Sequence, residues 1–372
     1  MNYRNLLKGF EVELFTGTLS DHVGLSNEIE DHFADFVQEP DNRNVEYITN
    51  PDANYKVLYK SLINPRIRLR KWLGLRDLTI IPSSTLCFCH DNKFQRSDLT
   101  NAYHQFIESN YGIAIATSSV HINIGINDLN RLFSAIRLVR CEASIYLSLS
   151  ASSPFINGTY SGNHSQRWIQ FPKTPREVPF FKDHLHYINW IEENIKSRKM
   201  QNIRHFWSSI RPNGPQRPYE LDRLELRICD FVPDIHLLLA ITALLELRII
   251  TLFENMENLD PLLSSKFSLS ELRKICDDNE IKAAKNSLNA ELINWQNGKV
   301  MLCKDWIQNL LEEISIPAKK FNMHEQLKPI YKVIEAGNKS MQWISKFKSG
   351  YSINEIMENE IEEMIKSEED SI

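Results

Sequence analysis

"IHLLLAITALLELRIITLF", from Ile235 to Phe253, is apolar around the full turn of a helix. A stretch this long is close to the ~20 residues that span a bilayer. Glu246 and Arg248 fall inside it, and a charge at the centre of a membrane helix costs about 2.5–3.5 kcal/mol. The run therefore predicts a core helix that must be covered on all sides by protein. A chain of 372 residues supplies that cover as one large domain or two modest ones. Hydrophobic content of 42% and charged content of 24% fit a globular chain. A net charge of −5 argues against bulk nucleic-acid binding. Cysteines at 87, 89, 141, 229, 276 and 303 form no CxxC pair, and no secretory leader precedes "MNYRNLLKGFEVE". A cytoplasmic protein with reduced thiols, no membrane segment and no nucleic-acid partner is expected.

The pattern changes near residue 230. Before it, "FEVELF", "NVEYIT", "LTIIPSSTL", "IAIATSSVHINIGI" and "RLELRIC" alternate as strands do. Helical periodicity falls between them, in 54–75 and in 128–151, where Asp128 stands as an N-cap. After Phe231 the texture is helical almost throughout. Ser268 and Glu271 make a capping box for a helix over 268–296, and the acidic end "NEIMENEIEEMIKSEEDSI" is expected to fray. The layout is α+β, with a catalytic domain over 1–256 and a helical region over 257–372 packed on it.

The polar faces of the strands carry the chemistry. Residues two apart stand on the same side of a strand, roughly 7 Å apart. Glu11 and Glu13 therefore share a face opposite Phe10, Val12 and Leu14. Glu46 lies opposite Val45 and Tyr47, and His121 and Asn123 lie opposite Val120, Ile122 and Ile124. Glu225 and Arg227 lie opposite Leu224 and Leu226. A face that merely meets water would carry Lys, Thr, Ser and Gln; taken alone, each strand is an ordinary half-wet strand and His121 an ordinary structural histidine. Together the acids suit a hard divalent cation, whose charge relieves the repulsion between Glu11 and Glu13. Mg²⁺ is the first choice and Mn²⁺ the second.

Arginines stand where an anion would need them. "SSPFINGTYSGNHSQRWIQFP" ends near Arg167, and "WSSIRPNG" presents Arg211 before a turn. With Arg227 these can clamp phosphoryl or carboxylate oxygens, although each alone is equally an ordinary surface ion pair.

"GFEVELF", "EPDNRNVEY", "VHINIG", "SSPFINGTYSGNHSQR", "IRP" and "LELRICD" resemble, in order, the motifs of the glutamate–cysteine ligase type 2 family, nearest to its cyanobacterial branch. The likeness runs from about 8 to about 255. It implies a glutamine-synthetase-like fold, an antiparallel sheet walling an active-site funnel and flanked by helices. It also implies ATP-dependent ligation of the glutamate γ-carboxylate to cysteine through a γ-glutamyl phosphate, the first step of glutathione synthesis. Carried over by motif, Glu11, Glu13, Glu46 and Glu225 match metal-binding acids, with Glu39 as a less certain neighbour that binds substrate or ATP. His121 matches the first histidine of a His-x-His-x-Gly pattern and takes a catalytic role, while Asn123 replaces the second and is assigned to substrate or ATP binding. Arg167 and Arg227 match phosphate-contacting catalytic positions, and Arg211 a substrate-binding one. The implied partners are small molecules: ATP, L-glutamate and L-cysteine.

Two further functions compete. One is a ligase of the same fold joining glutamate to another amine. The other is nucleic-acid binding through "RIRLRKWLGLR", with Arg66, Arg68, Arg70, Lys71 and Arg76; that stretch reads more simply as an amphipathic helix with a solvated basic face. A degenerate, non-catalytic homologue is disfavoured because the acids and arginines are intact.

Overall fold

A computed structural model describes residues 6–89 and 93–371; residues 1–5, the first part of the "MNYRNLLKGFEVE" start read above, lie outside them. In chain order the strands are β1 (Lys8–Gly17), β2 (Phe36–Gln38), β3 (Asn44–Ile48), β4 (Thr79–Ile81), β5 (Val120–Gly125), β6 (Phe155–Ile156), β7 (Thr159–Tyr160), β8 (Ile210–Asn213), β9 (Arg223–Leu226), β10 (Glu291–Ile293) and β11 (Val300–Leu302). Seven form one antiparallel sheet in the order β2-β3-β1-β5-β9-β8, with β4 also paired to β1. β1 is the hub: it pairs with β3 through Glu11–Phe15, with β5 through Lys8–Val12 and with β4 through Phe15–Gly17. The antiparallel sheet flanked by helices agrees with the expected α+β fold.

One face of the sheet is apolar, as the alternation predicted. Phe10, Val12, Leu14, Val45, Tyr47, Ile122, Ile124, Leu224 and Leu226 are all buried there. Helices Leu129–Ser150 and Ile235–Glu254 pack on each other behind the sheet, and Asp128 caps the first through Arg131 N at 2.9 Å. The second is the long apolar run. It is long and apolar enough to cross a membrane, yet 89% of its most apolar window is buried in the protein. Its two charges are both satisfied inside. Glu246 accepts from Lys8 Nζ at 3.0 Å and Tyr55 Oη at 2.7 Å. Arg248 meets Glu142 at 2.6 Å and Glu313 at 2.7 Å.

Five segment expectations need correction. The strands around 78–86 and 113–126 are shorter than their alternation suggests, because Thr79–Ile81 forms the strand in the first, with Thr85 adding an isolated bridge to Thr117, and Gly112–Ile115 winds into a 3-10 turn in the second. The Ser268–Glu271 capping box is present, but its helix stops at Asn286. Ser287 there takes a φ of 42°, and the chain then forms the β10–β11 hairpin. Asn279 holds that hairpin by bonding both backbone groups of Ile293 at 2.9 Å.

The acidic end does not fray, and the basic face of 66–76 is not simply solvated. Residues Ile353–Glu369 form a helix capped by Ser352 and Glu355. Its buried Glu368 receives Arg66 at 3.2 Å and Arg70 at 2.5 Å. Arg68 pairs with Asp35, and the Arg76 guanidinium lies 3.7 Å above the Trp72 ring. Glu368 lies 302 residues from Arg66 and 298 from Arg70, so neither of those segments betrays the other.

Removing one partner of a buried ion pair strands the other charge, at about 3–5 kcal/mol. Glu368→Ala is therefore expected to lower unfolding stability by about 3 kcal/mol or more. Replacing Arg66, Arg70 and Glu368 together by Met, Met and Leu should recover part of that loss. Urea unfolding monitored by circular dichroism checks both; an unchanged midpoint for Glu368→Ala would show that the latch is unimportant.

Candidate functional site

Strand register sets the second face of the sheet. Glu13 stands opposite Glu46 across β1 and β3, and Glu11 opposite His121 across β1 and β5. Asn123 then pairs with Glu225 across β5 and β9, and Glu225 with Arg211 across β9 and β8. Every polar residue singled out on these strands thus lies in one band across four neighbouring pairs. Like charges directly opposite in a sheet are destabilising, so the Glu13–Glu46 pairing demands compensation.

Some compensation comes from hydrogen bonds. His121 Nδ1 lies 2.9 Å from Glu11 Oε2, and Nε2 lies 3.0 Å from Ser119 Oγ. Ser119 donates to Glu13 Oε2 at 2.9 Å. Asn123 Nδ2 reaches Glu11 Oε1 at 3.2 Å. Burial and Glu225 push the Glu11 carboxyl upward, but the His121 bond and the His121 and Arg227 charges hold it below its ordinary value.

Glu39 and Glu46 accept no side-chain hydrogen bond among the described residues, and the Arg227 charge does not offset their burial. Burial, then the neighbouring glutamates, raises Glu46 well above the usual carboxylate range. Burial, then Glu13, raises Glu39 to about 8. Two sets of three groups bring one ligand atom each within 4.8 Å of one another: Glu11, Glu46 and His121, and Glu13, Glu39 and Glu46. Oxygen-rich sets of this kind fit Mg²⁺ or Mn²⁺, and Glu46 belongs to both.

Glu225 occupies a different place from the other acids. It is fully buried, receiving Arg211 Nε and Asn213 Nδ2 at 2.7 Å and a short bond from Arg227 Nη1. Arg211 and Arg227 outweigh the burial and hold its carboxyl well below the usual range. It belongs to neither three-residue set; it sits between the acid row and the arginines, 3.8 Å from His121 Nδ1.

Arg167, Arg204, Arg211, Arg217 and Arg227 line, with the acids, a cavity of about 270 Å³. Arg167 lies at its wall, but its terminal nitrogens go to the carbonyls of Ile228 and Arg227, both at 3.1 Å. That contact fixes the backbone carrying Arg227. Asp230 in turn accepts from Ser152 N at 3.0 Å, Ser153 Oγ at 2.7 Å and Ser165 Oγ at 2.8 Å, which anchors the loop leading to Arg167. Glu11, Glu13, Glu39, Glu46, His121, Arg167, Arg211 and Arg227 all border this cavity. Asn123 instead borders a neighbouring cavity of about 350 Å³, which Glu11 shares. Ser119, Arg204, Arg217, Tyr103 and Trp207 were missed. "IRPNGPQRP" could have signalled Arg217, since a second Arg-Pro follows the first; Ser119 and Tyr103 carry no local signal.

Residues 7–367 match the family model described as "Glutamate-cysteine ligase family 2(GCS2)", well past 255, where the sequence motifs end. A "Putative glutamate--cysteine ligase 2" of Sorangium cellulosum (strain So ce56) is 24% identical over 277 residues, covering 73% of this chain and 71% of that protein. Another of the same name, from Solibacter usitatus (strain Ellin6076), is 26% identical over 246 residues, covering 66% and 61%. The crystal structure of a glutamate–cysteine ligase from Francisella tularensis, in complex with AMP, superposes with a TM-score of 0.73 at 14% identity. It covers 97% of this chain and 89% of that one, and so shares the fold.

The raised carboxyls give a pH signature. An acid whose folded pKa exceeds its unfolded value of ~4.3 binds extra protons in the folded state, so stability falls as pH rises. For Glu39 the loss runs from the unfolded value up to about 8. Metal-free protein is expected to melt at progressively lower temperature between pH 5 and pH 9. Mg²⁺ should flatten that decline and release protons on binding at pH 7. Melting curves with EDTA and with Mg²⁺ check this; parallel declines would remove the acids from metal binding.

Proposed function

This chain belongs to glutamate–cysteine ligase family 2, and we propose that it joins the γ-carboxylate of L-glutamate to the amine of L-cysteine at the expense of ATP, giving γ-glutamylcysteine for glutathione synthesis. The observation that carries this is the gathering, around one cavity, of four glutamates on β1, β3 and the segment before it with five arginines. A carboxylate meeting a triphosphate brings like charges together, and the site's composition answers that difficulty. Mg²⁺ held by Glu11, Glu46 and His121, or by Glu13, Glu39 and Glu46, would supply positive charge beside the transferring phosphoryl group.

The remaining work falls to the chain itself. Arg227, fixed by Glu225 and by the Arg167 brace beneath its carbonyl, borders the cavity. It is a preorganised donor for the charge that develops on the phosphoryl group and then on the acyl oxygen. In the first step a γ-carboxylate oxygen bonds to the terminal phosphorus and ADP leaves. In the second the neutral amine nitrogen bonds to the acyl carbon, the acyl–oxygen bond to phosphate breaks, and the proton lost from nitrogen leaves on the phosphate. The neighbouring cavity beyond Glu11, with exposed Leu7 and Ile48 at its edge, suits the apolar faces of a nucleobase.

With ATP, Mg²⁺ and glutamate, hydroxylamine is expected to trap the acyl phosphate as glutamyl hydroxamate. Cysteine should stimulate ADP release more than other amino acids. Absence of hydroxamate would refute the ligase chemistry, whereas hydroxamate with another preferred amine would move the function to a different acceptor. Glu13→Gln keeps the side-chain shape but removes a charge, and should abolish most turnover while leaving the melting profile close to wild type.

A further inference from the structure

The residues that line the 270 Å³ cavity all precede 257, yet the helical region beyond grips the loop that leads to Arg167. That loop, residues 151–165, runs from the end of helix Leu129–Ser150 through the β6–β7 hairpin. Helix Lys339–Lys348 covers it. Ser340, Trp343, Ile344 and Phe347 recur at the spacing of one helix face, and the Phe347 ring lies 5.6 Å from that of Phe155. Ser340 is the polar member of that face and is fully buried. Its backbone N–H donates to the Ala151 carbonyl at 3.1 Å, on the loop's entering limb. Its hydroxyl donates to the His164 carbonyl, on the leaving limb. One residue therefore clasps both limbs. Two neighbours reinforce it. Ala284, in the last turn of helix Leu269–Asn286, accepts from His164 N at 2.9 Å and Ser165 N at 2.8 Å. Asn338, which caps the Ser340 helix, donates to the Ser148 carbonyl at 2.7 Å.

A buried hydroxyl on an otherwise apolar face matters through what it bonds. Here the consequence runs inward. With the limbs held together, Ser153 Oγ and Ser165 Oγ both reach Asp230, at 2.7 and 2.8 Å. Ser153 Oγ also accepts from Arg167 N at 3.2 Å, which sets the root of the arginine side chain. Arg167 then holds the carbonyls of Arg227 and Ile228, and Arg227 borders the cavity. We infer that Ser340 is a positioning residue for catalysis: by clasping the two limbs of the 151–165 loop it sets Arg167, and through it Arg227, at the cavity wall. The inference rests on the carboxylate-activating function proposed above and gives the C-terminal helices a part in it. Truncating the hydroxyl loosens the leaving limb and keeps the entering one. A shift of ~1 Å passed on to a reacting group costs up to ~10²-fold in rate.

The test measures hydroxamate formation from glutamate, ATP, Mg²⁺ and hydroxylamine in Ser340→Ala. Here kcat should fall about tenfold or more. KM for ATP and for glutamate should stay within about twofold, since a displaced donor is missed in the transition state. A purely structural role would lower the melting temperature and leave kcat of the folded enzyme unchanged. The second arm repeats Ser340→Ala in an Arg167→Lys background, where the two-carbonyl clamp is already loosened. There the further fall should be under about twofold, because both changes act along one path. Should Ser340→Ala fail to fold by circular dichroism, Ser340→Cys, close in shape but a weak donor, carries both arms with a smaller fall. An unchanged kcat, or equal falls in the two backgrounds, would overturn the positioning role while leaving the ligase function standing. A wild type that forms no hydroxamate from glutamate would overturn both.

Discussion

The repulsion between carboxylates fixed on one sheet face is the constraint to which the rest of the molecule answers. Glu13 and Glu46 stand directly opposite each other, and strand register gives them no lateral escape. Slipping β1 by one residue would relieve the contact, but it would also turn Phe10, Val12 and Leu14 out of the core. The apolar face therefore holds the acidic face in place. Burying those three side chains is worth about 1.5–3 kcal/mol each, enough to outweigh one unfavourable cross-strand pair.

Arginines meet this accumulated charge in tiers. Glu225 joins Arg211 to Arg227 at the inner end of the band. Arg167 does not itself reach toward the acids; it clamps the carbonyls of residues 227 and 228, and Asp230 clamps the loop before it. The result is a guanidinium whose position is set by backbone as well as by charge. Such rigidity matters for catalysis because a donor already oriented needs no reorganisation when charge develops on the reacting atoms.

Much of this was legible in the chain, for reasons that can be named. Alternation placed Glu11, Glu13, Glu46, His121 and Asn123 on one face because a strand has a period of two and its other face was plainly apolar. Asp128 and the Ser268–Glu271 box were legible because caps are local. What stayed hidden depends on distant partners. Glu225 matches a metal-binding acid by its motif, and only the fold reveals the two arginines that bond to it. Arg204 and Arg217 lie on irregular segments, where no periodicity tells which way a side chain turns. The 268–296 segment kept its helical texture past Asn286, and the hairpin that follows is pinned by Asn279, a residue inside the preceding helix.

The latch between Glu368 and the arginines at 66 and 70 spans 302 and 298 residues. A ribosome adding ~5–20 residues per second takes on the order of 15–60 s to cover such a span. Throughout that interval the helix carrying Arg66 and Arg70 is made but lacks its counter-ion, so it cannot settle in its final seat without burying unpaired charge. The nascent sheet must wait with one flank uncovered. A translational pause or a chaperone acting in that window would alter how much of the protein reaches its native state, with no change in the finished structure.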